Sequence, residues 1–290
     1  MDAFELLVDA RVELGESPIW DHRTQRVVWV DIVSGTVFEF DPLTRSNSVL
    51  YTASTNVGCV GLHTDGLVVA AGLQLLLLRK DGSVVVLAEV LGEFADHAFN
   101  DGAVDQQGRM LSGTVSITEA SPTGRLLRLE HDGSVSVLIA GLTISNGIDW
   151  SNDGTTMYFV DSPNRLLEAF SYGDTLTDRR TIAAFDGPQV PDGLCVDAED
   201  CIWVAFFNGG CIRRFGPDGK MLREIELPVS QVTSCCFGGP ELETMFISTA
   251  SEHFTQQQRA TEPTAGGLFH INPQVRGRIA HVCSIKPRGQ

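Results

Sequence analysis

Six positions spaced at nearly equal intervals constrain this chain more than any other feature. Glu16, Gly58, Asn100, Asn146, Asp192 and Thr233 each open a short hydrophobic stretch, at spacings of 42, 42, 46, 46 and 41 residues. Four of them carry a side-chain carbonyl or carboxylate oxygen, and each of those four stands five positions before a second oxygen-bearing residue: Asp21, Asp105, Ser151 and Asp197. A second β-rich run follows each anchor, at residues 28–31, 68–70, 111–114, 158–161, 203–205 and 246–248. A third lies near Val37, Leu75, Leu126, Glu168, Ile212 and Phe269. Turn pairs such as Asp81-Gly82, Asp132-Gly133 and Asp218-Gly219 then lead to a fourth strand in most units. Four strands per unit, at about 40 to 45 residues per unit, predict an all-β fold: a six-bladed β-propeller with four-stranded blades around a central channel. Residues 1–290 are expected to form a single domain, with an extra N-terminal strand around residues 5–14 closing the last blade and tying the ends of the ring together.

Charge narrows the range of function. The formal net charge is -16, which argues against nucleic-acid binding because a protein needs a basic surface to displace phosphate counterions. The same acidity permits a cation site. The N-terminus has no basic segment followed by an apolar one, and the most hydrophobic run, from Leu67, is broken by Gly72 and Gln74. The expectation is a cytoplasmic protein without a membrane span. Its seven cysteines have no metal-binding spacing and read as free thiols.

In a propeller the innermost strands line the channel, so equivalent positions in successive units point at one axis. Glu16, Asn100, Asn146 and Asp192 therefore converge at one mouth. Two carboxylates without a counter-charge repel, and a bound cation removes the conflict. Oxygen donors suit hard ions such as Ca²⁺, Mg²⁺ or Mn²⁺, and carboxylates also accept Zn²⁺. Glu16, Asn146 and Asp192 are the predicted metal ligands. Asp31 and Asp161, at matching ends of the second strands, read as supporting or turn residues.

The segments "GESPIWD", "FNDGAVDQQGR", "ISNGIDWS", "PDGLCVDAED", "WVAFFNGG" and "TSCCFGG" occur in the order seen in the family of senescence marker protein (regucalcin), gluconolactonase and luciferin-regenerating enzyme, which the chain resembles over nearly its whole length. The resemblance implies one catalytic divalent cation on Glu16, Asn146 and Asp192. It also implies Asp192 as the acid/base residue, Asn100 beside the metal in contact with substrate or its water, and hydrolysis of a sugar-acid lactone. No G-x-S-x-G nucleophile motif is present to support an acyl-enzyme route instead.

The match departs at Ala98, where sugar-acid lactonases of the family commonly carry an arginine that helps hold the substrate. His97 is adjacent, but alternation along a strand turns it to the other face. Glu119 is a candidate substrate contact from the loop that follows, and the polar segment 250–267 reads as a surface loop able to fold over the mouth. Two other readings stay open: a metal-dependent hydrolase of another ester, lactone or phosphoester, and a non-catalytic calcium-binding regulatory protein. The partner is a small-molecule lactone or ester in the first two cases.

Overall fold

The structure is a computed structural model that describes residues 4–90, 96–119 and 121–287. Six four-stranded antiparallel blades form a ring, a six-bladed β-propeller. In the first blade the strands Gly15–Asp21, Arg26–Asp31, Thr36–Asp41 and Ser46–Thr52 follow one another outward from the axis. The inner strands of the other blades are Val57–His63, His97–Val104, Ser145–Trp150, Val190–Val196 and Val232–Gly238. Each packs beside the inner strand of the next blade, and the sixth packs beside the first.

Burial is greatest in the second strands and falls from there toward the rim. Second strands are covered on both faces by neighbouring blades, which is why they read as continuous apolar runs without alternation. Trp29 and Trp203, both in second strands, are fully buried. Fourth strands lie at the rim, where Val49, Val84, Val137 and Met221 are exposed.

The N-terminal strand Phe4–Val8 completes the sixth blade by pairing antiparallel with Leu268–Ile271. It is shorter than the sequence suggests, and residues 9–13 continue as irregular chain to an isolated bridge between Leu14 and Ala250. Val12 N–H donates to Gly266 O at 3.1 Å, and the Ser251 hydroxyl donates to Val12 O at 3.0 Å. Gly266 has φ +76°, and a Cβ there would lie 2.2 Å from Val12 O, so glycine is what lets the two ends of the ring meet.

A second link was not visible in the sequence. The segment from Arg276 to Ile285 crosses the face where the inner strands end. Its backbone bonds to Ala198 and Leu242 in blades five and six, then runs parallel to Leu62–His63 through Val282–Cys283. The imidazole of His63 bonds Ile285 O at 2.9 Å, and Arg278 pairs with Asp149 on the inner strand of blade four. None of the helices among the described residues is long and apolar enough to cross a membrane. All seven cysteines are free, and Cys195 and Cys235 on neighbouring inner strands bring their sulfurs to 3.5 Å.

Candidate active site

Every inner strand carries an irregularity at its anchor. Regular pairing with the second strand is interrupted between Glu16 and Ile19, Val57 and Cys59, Phe99 and Gly102, Asn146 and Ile148, Pro191 and Leu194, and Val232 and Ser234. A bulge bends the strand and re-aims a side chain that simple alternation would place elsewhere. The repeat seen in the sequence is therefore a repeat of bulges, and the anchor residue sits at each one.

The six anchors divide by task. Gly58 makes room: a Cβ there would lie 2.3 Å from Asn100 O and 2.4 Å from Phe99 O. Thr233 ties blade six to blade one, its hydroxyl donating to Gly15 O at 2.6 Å. Glu16, Asn146 and Asp192 are buried, and Asn100 is half-buried. Asn100 Nδ2 donates to Asn146 Oδ1 at 2.8 Å and to Ser145 O at 3.0 Å, joining blades three and four. Asn146 Nδ2 donates to the Ser162 hydroxyl at 2.7 Å.

Electrostatics links the remaining members. Burial first, then Asp192 and Asp101, hold the Glu16 carboxyl well above the usual carboxylate range, against the Ser17 N–H that donates to it at 2.6 Å. Asp192 is raised likewise by burial, by Asp101 and by Glu252. Burial pushes Asp101 up to about 6, and its one opposing contact is the Gly102 N–H at 2.7 Å. Among the described residues, no Lys, Arg or His is bonded to any of these three carboxyls.

Sequence reasoning missed Asp101 because a residue next to Asn100 in a regular strand faces the opposite way. The irregularity between Phe99 and Gly102 leaves both residues out of register. Asp101 instead lines a cavity of about 120 Å³ whose walls also include Arg278, Ala280 and His281 but none of Glu16, Asn100, Asn146 and Asp192, so it reaches the Glu16 and Asp192 carboxyls electrostatically from the adjoining space. The signal available was two consecutive polar residues inside an inner strand.

Glu252 was also missed, because it lies in the 250–267 segment. That segment is not a featureless loop. It contains a helix, Gln256–Thr261, opened by a capping box in which the Thr255 hydroxyl accepts from Gln258 N–H and the Gln258 side chain accepts from Thr255 N–H. Phe254 and Ala265 are buried. Glu252 itself is raised by burial and then by Glu119 and Glu13, against the opposing influence of His253, so acidic groups gather at this rim.

The other expectations have definite places. Asp31 and Asp161 accept from Leu14 N–H at 3.1 Å and Ile144 N–H at 2.9 Å, fixing the chain as it enters the inner strands of blades one and four. His97 is buried, with Nδ1 at 2.7 Å from Asp96 Oδ1 and Nε2 at 2.9 Å from the Thr123 hydroxyl. Ala98 is half-buried on the same strand.

The donor set fits a hard cation. It is made of oxygens, lies in a largely buried ring, and among the described residues has no basic side chain bonded to its carboxyls. Among the described residues no three His, Cys, Asp or Glu side chains are arranged to hold a metal, so the candidate set is the two carboxylates of Glu16 and Asp192 completed by Asn146 Oδ1.

Residues 14–251 match a region described as SMP-30/Gluconolactonase/LRE-like. Regucalcin of Xenopus laevis is 35% identical over 92% of this chain and 93% of its own length. Human regucalcin is also 35% identical, with the same coverage. A luciferin-regenerating enzyme superposes with a TM-score of 0.91 at 26% identity, covering 98% of this chain and all of that one. Matching blades, matching sequence and one ring of oxygens at the axis lead to a single conclusion: the chain belongs to the SMP-30/gluconolactonase/LRE-like family.

Proposed function

We propose that this protein is a divalent-metal-dependent hydrolase that opens the ring of a sugar-acid lactone. The observation that carries the reading is the grouping of three carboxyls on inner strands: Glu16 and Asp192 are buried, Asp101 is half-buried and raises the pKa of the other two, and among the described residues no basic side chain is bonded to any of them. Such a set is costly until a cation joins it. Membership of a family that includes gluconolactonases supports lactone hydrolysis as the reaction class.

Glu16, Asn146 and Asp192 would hold the cation, be it calcium, zinc, manganese or magnesium. When bound, it supplies Lewis acidity toward a carbonyl oxygen and toward water. Hydrolysis adds water across the acyl C–O bond: the carbonyl carbon gains an oxygen and the ring oxygen leaves with a proton. Asp192, as the carboxylate, takes the proton from the attacking water and returns it to the ring oxygen, and the burial that raises its pKa makes it a stronger base. Asn100 has both Nδ2 bonds committed to Ser145 O and Asn146 Oδ1, which leaves its Oδ1 to accept from a substrate hydroxyl. At the rim, Glu119 and Glu252 offer further acceptors. Ala98 contributes no donors and opens space for a group that a guanidinium would exclude.

A calcium-binding regulatory role without turnover is the second reading, supported by the identity to regucalcin. A calcium-binding regucalcin from Agrobacterium tumefaciens also shares the fold, with a TM-score of 0.93 at 24% identity and 98% coverage of each chain. A panel of aldonolactones, alkyl lactones, aryl esters and phosphoesters, assayed with a pH indicator after chelation and after adding back Ca²⁺, Mg²⁺, Mn²⁺ or Zn²⁺, separates the readings. Metal-restored lactone opening supports the hydrolase. Cation binding with no turnover on any substrate supports the regulatory role, and ester or phosphoester turnover alone reassigns the substrate class.

A further inference from the structure

Ser162 stands immediately after the second strand of blade four, Thr156–Asp161, at the start of the one-turn 3-10 helix Ser162–Asn164. Its N–H donates to Ile144 O at 3.1 Å, which pins it beside the inner strand of the same blade. The side chain is buried, and its hydroxyl makes two bonds of 2.7 and 2.8 Å, one with Asn146 Nδ2 and one with Pro191 O. The places equivalent to Ser162 in the other five blades, one past the partner of the residue before each anchor, hold Ile32, Gly72, Val115, Phe207 and Ala250. A hydroxyl occurs there only in the blade that carries the carboxamide ligand.

The direction of these bonds follows from valence. Pro191 O is a backbone carbonyl and can only accept, so the Ser162 O–H must donate to it. Its remaining capacity toward Asn146 is as an acceptor. Asn146 therefore presents its NH₂ to Ser162 and its carbonyl oxygen to the opposite side, where Asn100 Nδ2 meets it at 2.8 Å. The Asn100 amide is fixed in the same way, because Ser145 O, a backbone carbonyl, can only receive its Nδ2. A cation needs Asn146 Oδ1; the opposite rotamer would present two hydrogens to it.

From this we infer that Ser162 is a positioning residue of the cation site: its hydroxyl fixes which end of the Asn146 carboxamide faces the cation and holds the backbone just before Asp192. One side chain thus registers ligands from two blades. The assignment rests on the proposed cation set of Glu16, Asn146 and Asp192, but its test reads cation binding rather than catalysis.

The test is calorimetric titration of Ca²⁺, Mg²⁺, Mn²⁺ and Zn²⁺ into chelator-treated wild type, Ser162→Ala, Ser162→Thr, Asn146→Asp and the Ser162→Ala/Asn146→Asp double variant, each with its Tm. Loss of a group that orients a ligand costs about 10- to 100-fold in metal affinity, which is the expected loss for Ser162→Ala. Ser162→Thr, which keeps the hydroxyl, is expected to retain more affinity than Ser162→Ala. An aspartate has two equivalent oxygens and needs no orientation, so in the Asn146→Asp background the effect of Ser162→Ala shrinks to within about twofold. A lowered Tm for Ser162→Ala with unchanged affinity would assign Ser162 to the fold alone and overturn the inference. So would an equal loss of affinity in both backgrounds. A wild type that binds none of the four cations would overturn the proposed cation set, and this assignment with it, whereas binding without lactone turnover would overturn only the hydrolase reading.

Discussion

Asn100 and Asn146 are separated by 46 positions in the chain, yet the Nδ2 of the first lies 2.8 Å from the Oδ1 of the second. The bond spans two blades and touches a predicted ligand, so the two residues should fail differently. Asn100→Ala removes a donor to Asn146 and the acceptor offered to substrate while leaving all three ligands. Lactone turnover is expected to fall by roughly 10- to 100-fold, as loss of one or two hydrogen bonds to a polar partner implies, with cation affinity changed far less. Parallel kinetics and calorimetry check this, and an equal loss in both would place Asn100 among the ligands.

Asp192 combines two tasks in the proposed mechanism. Asp192→Ala is expected to abolish turnover and weaken cation binding together. Wild-type rates in that variant would remove the mechanism.

The pH dependence of the chelated protein follows from the raised carboxyls. Glu16, Asp101 and Asp192 hold protons to higher pH in the folded chain than in the unfolded one, so the folded state binds more protons across that window. Stability of the metal-free protein is therefore expected to rise as pH falls from about 6, the value for Asp101, toward the ordinary carboxylate range near 4. Asp101→Asn should flatten its share of this slope, and a bound divalent cation should suppress it. Thermal melts of wild type and variant, with and without cation, report the difference; identical slopes would show that Asp101 has an ordinary environment.

Gly58 tests the backbone rather than a side chain. Gly58→Ala would place a Cβ against the carbonyl oxygens of Phe99 and Asn100, and overpacking of this kind costs about 1 to 3 kcal/mol. Because the strand that must move carries Asn100, turnover at temperatures well below the melt is expected to drop as well. Full activity with a lowered Tm would mean that the strand absorbs the change without moving Asn100.

Removal of residues 1–14 takes away the outer strand of blade six, and with it Leu6, Leu7, Val8 and Val12 from two apolar clusters. Val12 is buried and the other three are half-buried, so together the four account for about 3 kcal/mol. The loss should lower Tm by roughly 6 °C or more and broaden the transition. An unchanged melt would show that the ring holds without this closure.

The spacing of Glu16, Asn100, Asn146 and Asp192 was legible because each blade must present the same turn of chain to the axis, and that demand leaves an interval in the sequence. The strand Phe4–Val8 was legible because a ring needs its ends joined. Asp101 was not, since its orientation depends on a local break in strand pairing, and alternation predicts the opposite. Glu252 reaches the site from a segment whose course is set by contacts with the chain ends, such as Ser251 with Val12 and Glu13. The capping box at Thr255 and Gln258 did leave a short-range signal, Thr-x-x-Gln, within that segment. The crossing segment from Arg276 has little alternation and pairs through only two residues, so it carries no strand signature.

The repeated bulge also separates architecture from chemistry. Six one-residue bulges encircle the axis, and the ladder resumes its register after each although the residue at the bulge differs from blade to blade. A glycine in one and a threonine in another serve the frame, by close backbone approach and by a bond to Gly15 O, beside the four residues of the candidate site. Redirecting this scaffold to a different reaction is thus a matter of choosing those four occupants, much as a rotor is rewired at its contacts and not in its frame.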